Sequence, residues 1–455
     1  MSFWQGLFRK KAVDIKRPKK FFDGIFFQQK VRRKSGKSTR KWIGQSFVLT
    51  IFLIIFIALG LRYLLPAIEA AGLFRDGRYL ILFQNNSEIR SSGGFIGSYA
   101  VIEIKNFEAQ NLEFNTNIYA LDRAFAKENF VEPPAPLEKV LKGQSWALRD
   151  ANYAASFPEA ARDITRFYGE ETGQSIDGIV ALNAQVMIEL LKLTGPIKMA
   201  KYDLTISADN FYRETQYQVE KAYFESPENW VINEPKTILK DLYPEILNRA
   251  LEHKLSLARL LKKEIDTREI IFYFQEPEKQ QVVRERQWAG EIPVNILGDY
   301  LYINSNSYSG NKSSLSIREN VDYQLTDDSS GNYRQADLTV SRVHLGSYDW
   351  PDGKNTEWVR IFTPGNTKFQ EAKLNEKDVS SEIEVGTDSG KNYFGVEITT
   401  EPGQVNILKI SYLLPFEEDY HLLVQKQPGR TQDSLSVVLK GKMLFDGVLD
   451  RDIEI

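Results

Sequence analysis

Three polar segments of the sequence carry residue types that could bind an anion or a sugar. The first is QNNSEIRSSGGFIG, whose candidate binding residues are Asn85, Glu88, Arg90, Gly93 and Gly94. A glycine pair permits a tight turn with exposed backbone amides, and such a turn can cradle an anion. A hairpin turn stabilised by capping amide side chains fits the same residues. The sequence leaves both interpretations open.

The other two segments combine arginine with aspartate. The second, YALDR, contains Asp122, and the third, WALRDANY, contributes Arg149, Asp150 and Asn152. The acid of such a run can ligate a cation while the guanidinium holds a phosphate through two hydrogen bonds. A structural salt bridge beside a helix cap is the alternative.

Composition excludes several enzyme classes. The chain has no cysteine, which rules out thiol nucleophiles and disulfides. Its histidines, His253, His344 and His421, have no second histidine three or four residues away, so we expect neither a zinc site nor a histidine-based triad. Any chemistry must therefore use Arg, Asp, Glu and amide groups, which suit phosphoryl and glycosyl substrates.

Charge is distributed unevenly along the chain. Residues 1–41 contain 14 Lys and Arg against two Asp, for a net charge of +12. The rest of the chain holds 44 Lys and Arg against 59 Asp and Glu, for a net charge of −15. A basic head and an acidic body indicate two different surroundings for one chain. In residues 1–41 Phe pairs alternate with cations. We expect this basic tail to lie on anionic lipid and to bind no nucleic acid.

An apolar segment separates the tail from the body. No residue from Trp42 to Leu61 is charged, and as a helix this segment would span about 30 Å, the thickness of a hydrocarbon core. We therefore predict one transmembrane helix over residues 42–65. The excess of Lys and Arg before it keeps the N-terminus in the cytoplasm, so we expect a single-pass protein of the cell membrane with its bulk outside.

Two folded domains are predicted beyond the anchor. Over residues 75–300 short strands alternate with longer helical patterns, which favours an α/β sandwich. Over residues 301–455 six or seven short strands alternate apolar with polar residues, which is typical of an antiparallel β-sandwich, here predicted to be immunoglobulin-like. The clearest elements of the first domain are predicted strands at 79–83, 99–104 and 178–182 and helices at 158–168, 186–193 and 238–263.

The polar segments resemble a known bacterial membrane-protein family. The strings FQNNSEIRSSGGFIGSY, LRDANYAASFPEAARDITRFY, IDGIVALN, LLKLTGPI and GNKSS are similar to the family called domain of unknown function 4012. The resemblance covers most of the chain beyond the predicted anchor. It implies architecture and a surface location, and it assigns no activity.

A weaker resemblance is to the LytR-CpsA-Psr phosphotransferases. The order of strand, Arg-containing loop, strand and helix leading to IDGIVALNAQVMIELLKLTGPI is similar to that family. Its members have the same membrane topology, bind polyprenyl pyrophosphate with several Arg and a divalent cation with Asp, and transfer glycopolymers to the cell wall. The resemblance implies the same fold and ligands here.

That family's site residues match this sequence only in part. Arg90 matches the first-loop arginine, whereas Ser92 stands where the family has an aspartate. Asp122 corresponds to the acid of the family's Pro-Arg-Asp motif, although Leu121 replaces the arginine before it. Arg213 lies alone where the family has a paired arginine motif.

Two functions from different classes are therefore expected. In the first, Arg90 and Arg149 clamp a pyrophosphate, and a polyprenyl-linked glycopolymer is transferred to the cell wall. Mg²⁺ is then held by Asp122 or Asp150. In the second, the same loops bind a cell-wall glycan or a carrier lipid without catalysis, and the β-sandwich serves adhesion or assembly. The predicted catalytic residues are Arg90, Asp122, Arg149 and Asp150, and the predicted substrate-binding residues are Asn85, Glu88, Gly93, Gly94, Asn152 and Arg213.

Overall fold

The computed structural model describes residue 69 and residues 72–106, 108–307, 310–328 and 331–455. The predicted basic tail and transmembrane helix, residues 1–65, lie outside the described residues. Within the described ranges, no helix is long and apolar enough to cross a membrane.

A mixed five-stranded sheet forms the centre of the first domain. The strands of this domain are β1 (Gly77–Arg90), β2 (Gly93–Lys105), β3 (Glu108–Asn115), β4 (Gly178–Asn183), β5 (Ile197–Met199), β6 (Leu204–Ile206) and β7 (Ile270–Phe274). The sheet has the order β3-β2-β1-β4-β7, and β5 and β6 form a separate hairpin. Strands β1 and β4 run parallel, whereas the other neighbouring pairs of the sheet are antiparallel.

Helices cover both faces of this sheet. They are α1 (Ile118–Ala126), α2 (Ala135–Leu141), α3 (Phe157–Thr172), α4 (Ala184–Thr194), α5 (Phe211–Glu220), α6 (Pro227–Ile232), α7 (Thr237–Ala250), α8 (Lys254–Asp266) and α9 (Pro277–Glu285). Leu80 and Leu82 of β1 pack in the core with α1, α2 and α3, whereas Tyr79 and Phe83 pack on the other face with α4, α5 and α7. A strand buried on both faces needs a continuous apolar run, which the sequence YLILF provides.

The prediction of a mixed α/β domain is confirmed. The predicted strands at 79–83, 99–104 and 178–182 lie within β1, β2 and β4, and the predicted helices at 158–168 and 186–193 lie within α3 and α4. The segment predicted as one long helix or a pair at 238–263 forms the pair α7 and α8. One feature matters for function: β1 continues to Arg90, through the first half of the polar segment that the sequence left open between an anion-binding turn and a hairpin turn.

The C-terminal region is β-rich, as predicted. Its strands are β8 (Asp299–Ser307), β9 (Ile317–Asp327), β10 (Tyr333–His344), β11 (Asn355–Thr363), β12 (Lys368–Leu374), β13 (Lys377–Asp378), β14 (Glu384–Asp388), β15 (Lys391–Thr400), β16 (Val405–Pro415), β17 (Leu422–Gln425), β18 (Ser434–Leu439), β19 (Lys442–Val448) and β20 (Ile453–Glu454). Strand β8 begins two residues before the predicted start of the second domain at 301.

These strands form two sheets that share one core. One sheet has the order β13-β12-β16-β10-β9-β18-β19 and the other has the order β14-β15-β11-β8-β17-β20. Val321 and Leu338 of the first sheet pack in one cluster with Val359 and Phe394 of the second. The described strands outnumber the six or seven expected, and the pairs β8–β17 and β9–β18 are parallel rather than antiparallel.

The tip of the β1–β2 hairpin joins the two domains. The Asn304 amide donates to the Ser91 carbonyl at 2.7 Å, and the Gln427 amide donates to the Arg90 carbonyl at 2.9 Å. The Arg360 guanidinium donates to the Ser91 hydroxyl at 3.2 Å. Because these donors belong to the β-sandwich, the hairpin is a contact between domains and not a free loop.

A buried ion pair adds a second contact between the domains. The Lys426 ammonium lies 2.8 Å from the Glu269 carboxylate, and both side chains are only 3% exposed. The same ammonium donates to the Thr267 carbonyl at 2.7 Å. Neither charge has water to solvate it, so each depends on the other.

Replacing Lys426 by Met should lower the free energy of unfolding, because the buried Glu269 would lose the cation that compensates its charge. Breaking one partner of such a pair costs about 3–5 kcal/mol. We expect a lower urea midpoint for K426M and recovery of most of the loss in the double variant K426M/E269M. Lys442→Met, at an exposed site on β19, is the matched control. Equal midpoints for K426M and K442M would contradict this expectation.

Candidate functional site

The three polar segments predicted from the sequence converge in the first domain. Arg90, at the end of β1, places one guanidinium nitrogen 2.8 Å from Glu88 Oε1 and 3.3 Å from Asp150 Oδ1. Arg149, in the turn before α3, contacts Asp150 Oδ2 at 3.1 Å and Asp122 Oδ2 at 3.2 Å. Side chains that are far apart in sequence therefore form one continuous set of ion pairs.

The β-sandwich domain extends this set by one charge. Lys312, in the loop between β8 and β9, forms an ion pair with the second carboxylate oxygen of Glu88. The six residues form a row in which each contacts the next and the sign of the charge alternates. We call this row the charge chain; in order its members are Lys312, Glu88, Arg90, Asp150, Arg149 and Asp122.

In the charge chain, the two arginines that were predicted to clamp a phosphate, Arg90 and Arg149, already form ion pairs with carboxylates. Burial opposes the charge of Arg90, but the carboxylates of Glu88 and Asp150 outweigh burial and raise its pKa. Burial likewise opposes the charge of Glu88, but Arg90 and Lys312 hold its pKa below the ordinary value. The groups stay ionised because they face one another. A phosphate would have to displace a buried carboxylate to reach Arg90.

The predicted magnesium ligands face an arginine. Asp122 and Asp150 each give one oxygen to Arg149, and the other oxygen of Asp150 accepts from Arg90. A cation between the two carboxylates would have to displace the Arg149 guanidinium. Among the described residues no group of three or more His, Cys, Asp or Glu side chains could hold a metal ion. The arrangement therefore does not fit Mg²⁺.

A pair of carboxyl groups ends the charge chain. The buried carboxyl groups of Asp122 and Glu171 are close enough to interact electrostatically, and the backbone amide of Leu148 donates to Glu171 Oε1 at 2.9 Å. Burial and the neighbouring Glu171 raise the pKa of Asp122 to about 8. Two carboxyl groups in contact cannot both ionise at low cost, so the pair holds one proton at neutral pH.

The glycine pair forms a hairpin, which is one of the two interpretations that the sequence leaves open. The Gly94 amide donates to Asn183 Oδ1 at 2.9 Å, and the Asn152 amide donates to the Gly94 carbonyl at 2.7 Å. A Cβ atom at Gly94 would collide with the backbone of Asn85, so the close approach of two strands requires glycine here. Gly93 has a φ of +127°, which also favours glycine. The hairpin interpretation describes these residues.

Arg213 and Asn85 lie apart from the charge chain. The Arg213 side chain projects from α5 with 77% of its surface exposed and contacts only Glu214. Asn85 lines a cavity that opens beside the hairpin. Of the ten residues predicted from the sequence as site residues, Asn85 alone lines this cavity.

The cavity has a volume of about 550 Å³ and lies where the parallel pairing of β1 with β4 ends, at Gln84 and Asn183. The crevice outside the carboxyl ends of parallel strands is the usual ligand position in α/β proteins. Its apolar wall is formed by side chains of the sheet and of α4, α5 and α7, namely Phe83, Phe95, Leu182, Met187, Phe211, Val219, Leu239 and Tyr243. Its polar lining includes Asn85, Asn117, Asn183, Arg123, Lys236 and Lys312.

Two lysines give this cavity a positive region. The Lys236 ammonium donates to the Gly97 carbonyl and lies 5.2 Å from the centre of the Tyr119 ring. The pKa of the Lys236 amine is lowered to about 7, mainly by burial and to a smaller extent by the charge of Lys312. Sequence reasoning missed both lysines. Lys236 stands in a turn before α7 without a distinctive pattern, and the only signal for Lys312 is its place in the string GNKSS.

Comparison with known proteins identifies the family of the first domain. Residues 76–219 match the family described as protein of unknown function (DUF4012), which confirms the resemblance to that family over this part of the chain. The match includes the whole β1–β2 hairpin and ends before Lys236 and Lys312. No curated protein has a matching sequence.

Solved structures share only distant similarity with the chain. A candidate nutrient binding protein from Legionella pneumophila is 12% identical over 31% of this chain and 54% of its own, with a TM-score of 0.23. An M1 zinc metallopeptidase from Deinococcus radiodurans is 10% identical over 27% and 32%, with a TM-score of 0.17. Aminopeptidase A from Legionella pneumophila is 13% identical over 30% and 17%, with a TM-score of 0.19. Likenesses this weak carry no argument about function.

Replacing Arg90 by Met should destabilise the protein by about 3 kcal/mol or more, because Glu88 and Asp150 would be left buried without their shared cation. Arg213→Met is the matched control, since an exposed arginine contributes within about 0.5 kcal/mol. Urea denaturation of the two variants measures the difference. Similar stability of R90M and the wild type would show that the charge chain is not a structural requirement.

The proton held by Asp122 should make stability depend on pH. The folded protein keeps this proton up to about pH 8, whereas the unfolded chain loses it near the ordinary value of 3.8. The folded state binds more protons in that window, so stability falls as the pH rises through it. We expect Asp122→Asn to flatten the profile between about pH 5 and pH 8 and to raise the free energy of unfolding at pH 8, measured by urea denaturation, by on the order of 1 kcal/mol. Exposed Asp209→Asn is the control; parallel profiles for D122N and the wild type would refute the shared proton.

Proposed function

We propose that this chain, whose residues 76–219 match the DUF4012 family, is a membrane-anchored protein of the cell envelope that binds an anionic polyprenyl carrier lipid. The observation that carries the proposal is the cavity of about 550 Å³, which combines an apolar wall with cationic side chains. Its volume lies in the range of about 300–1,000 Å³ that is usual for ligand sites.

The lining matches both ends of such a lipid. Aromatic and aliphatic side chains on the sheet and the surrounding helices would bury the isoprenoid tail, for which removal from water is the driving force. Lys236, Lys312 and Arg123 line the same cavity and would attract a phosphate or pyrophosphate. Three cationic side chains line the cavity against one carboxylate, that of Glu220, whereas the chain beyond residue 41 has a net negative charge.

The predicted anchor supports a site for a membrane lipid. A helix over residues 42–65 would keep the cavity near the bilayer that contains polyprenyl carriers, and the basic tail would lie on anionic lipid at the cytoplasmic side. The β-sandwich would then extend from the first domain toward the cell-wall glycan. The polymer attached to the carrier would lie outside the cavity.

Transfer of the polymer is the second candidate function. One observation favours it: Arg149 lies 5.3 Å from the centre of the Tyr119 ring, and Tyr119 lines the cavity. To reach a phosphate, however, Arg149 would have to leave the carboxylates of both Asp122 and Asp150. The geometry therefore supports binding better than catalysis.

Filling the cavity tests the proposed function. We expect the full-length chain in detergent to bind geranylgeranyl pyrophosphate in calorimetry, equally with magnesium and with EDTA. Val219→Trp places a large side chain in the cavity wall and should weaken binding about tenfold or more. Arg213→Trp, on the same helix but outside the cavity, is the matched control and should bind like the wild type.

Two results would count against the proposal. If the wild type binds no geranylgeranyl pyrophosphate, the cavity is not a carrier-lipid site. If V219W and R213W bind as tightly as the wild type, the lipid lies elsewhere on the protein.

A further inference from the structure

We infer that the anionic end of the ligand is held between Lys236 of the first domain and Lys312 of the β-sandwich domain, so that the site is complete only when the two domains are docked. This inference rests on the proposed function and assigns the head-group position within it. It gives the β-sandwich a direct part in binding.

The two lysines approach the cavity from different domains. Lys236 precedes α7 of the first domain, and Lys312 lies in the loop between β8 and β9. Both line the cavity, and the Lys312 ammonium lies 5.5 Å from the centre of the ring of Phe95, another lining residue. They are close enough for the charge of Lys312 to lower the pKa of Lys236. A chain that brings two cations together beside an apolar cavity stabilises an anion between them.

Lys236 is not neutralised by the protein. Its ammonium donates to the carbonyl of Gly97, and no carboxylate within the described residues forms an ion pair with it. In contrast, the six members of the charge chain compensate one another. Lys236 is therefore a surplus cation at the cavity, and a phosphate would supply the missing negative charge.

The loop that carries Lys312 is held firmly in place. The Lys312 amide donates to the Pro351 carbonyl at 3.1 Å, and the Ser314 hydroxyl donates to Glu357 Oε1 at 2.9 Å. The backbone amide of Ile89, from the β1–β2 hairpin, donates to the same Ser314 hydroxyl at 3.2 Å. Because Glu88 also binds its ammonium, Lys312 is positioned before any ligand arrives. Preorganisation of this kind lowers the cost of binding.

The assignment predicts a pH dependence that a structural lysine would not give. An anion favours the protonated form of Lys236, whose free amine has a pKa of about 7. Binding above about pH 7 therefore requires uptake of a proton, and affinity should fall as the pH rises. The other charged groups that act on this amine are Lys312, Glu88, Asp122 and Glu220. Glu88 is already ionised at neutral pH, but Asp122, whose pKa is about 8, also loses its proton in this window. The slope therefore belongs to Lys236 if it persists in D122N and disappears in K236M.

Calorimetry with three probes tests the inference on the full-length chain: geranylgeranyl pyrophosphate, geranylgeraniol and inorganic pyrophosphate. We expect the wild type to bind the lipid pyrophosphate more tightly than the alcohol, and inorganic pyrophosphate weakly. Lys236→Met and Lys312→Met should each weaken binding of the lipid pyrophosphate about tenfold or more and leave binding of the alcohol unchanged. The decline in affinity above pH 7 should disappear in K236M.

Matched controls separate these effects from misfolding. Lys240→Met removes an exposed lysine one turn further along α7, and Lys354→Met removes an exposed lysine beside the Lys312 loop; both should bind like the wild type. Because K312M leaves Glu88 with one cation fewer, the double variant K312M/E88Q repeats the test with the charge balance kept.

The outcomes distinguish the two proposals. If the wild type binds the lipid pyrophosphate and K236M and K312M/E88Q bind it equally well, the head-group assignment is wrong and the cavity remains a lipid site. If the wild type binds neither lipid, the proposed function fails and the assignment fails with it. Equal affinity of the wild type for the pyrophosphate and the alcohol would also overturn the assignment.

Discussion

A buried row of alternating charges is the constraint on which the rest of this structure depends. Arg90 stands at its centre between Glu88 and Asp150, and Lys312 and Asp122 form its ends. Ions without water are stable only when each faces an opposite charge, so the positions of three segments and two domains become linked. The charged residues of the hairpin are required for this arrangement, and their role in it is structural and does not depend on a ligand.

The cavity follows from the same constraint. Strands β1 and β4 are parallel, and β4 ends while β1 continues into the hairpin, which leaves a crevice that α5 and α7 close into a pocket. The hairpin tip then binds the β-sandwich and brings the loop of Lys312 to the rim. An apolar pocket in one domain thereby acquires a cation from the other. Domain docking, the proposed head-group site and the buried charges all depend on this one arrangement.

Much of the fold could be predicted from the sequence because apolar periodicity reports burial directly. The run YLILF predicts a strand covered on both faces, and the alternation in β9 and β10 predicts a strand with one face in a core. The hypotheses from sequence assumed that Arg90, Arg149, Asp122 and Asp150 converge, but the sequence alone could not show it, because it does not say which loops meet in space. Their roles could not be predicted either, because ion pairs inside a protein and ligands at a phosphate use the same residue types. Lys236 could not be found at all: its burial and its nearness to Lys312 arise only when two domains pack.

The most direct test of this account is a crystal structure of the full-length chain with geranylgeranyl pyrophosphate. The account predicts an isoprenoid tail in the cavity between β1, β4 and α7, with phosphate oxygens in hydrogen-bond contact with Lys236 and Lys312 and with the charge chain unchanged. A pyrophosphate bound instead to Arg90 and Arg149, with Glu88 and Asp150 displaced, would contradict it and would favour the phosphotransferase.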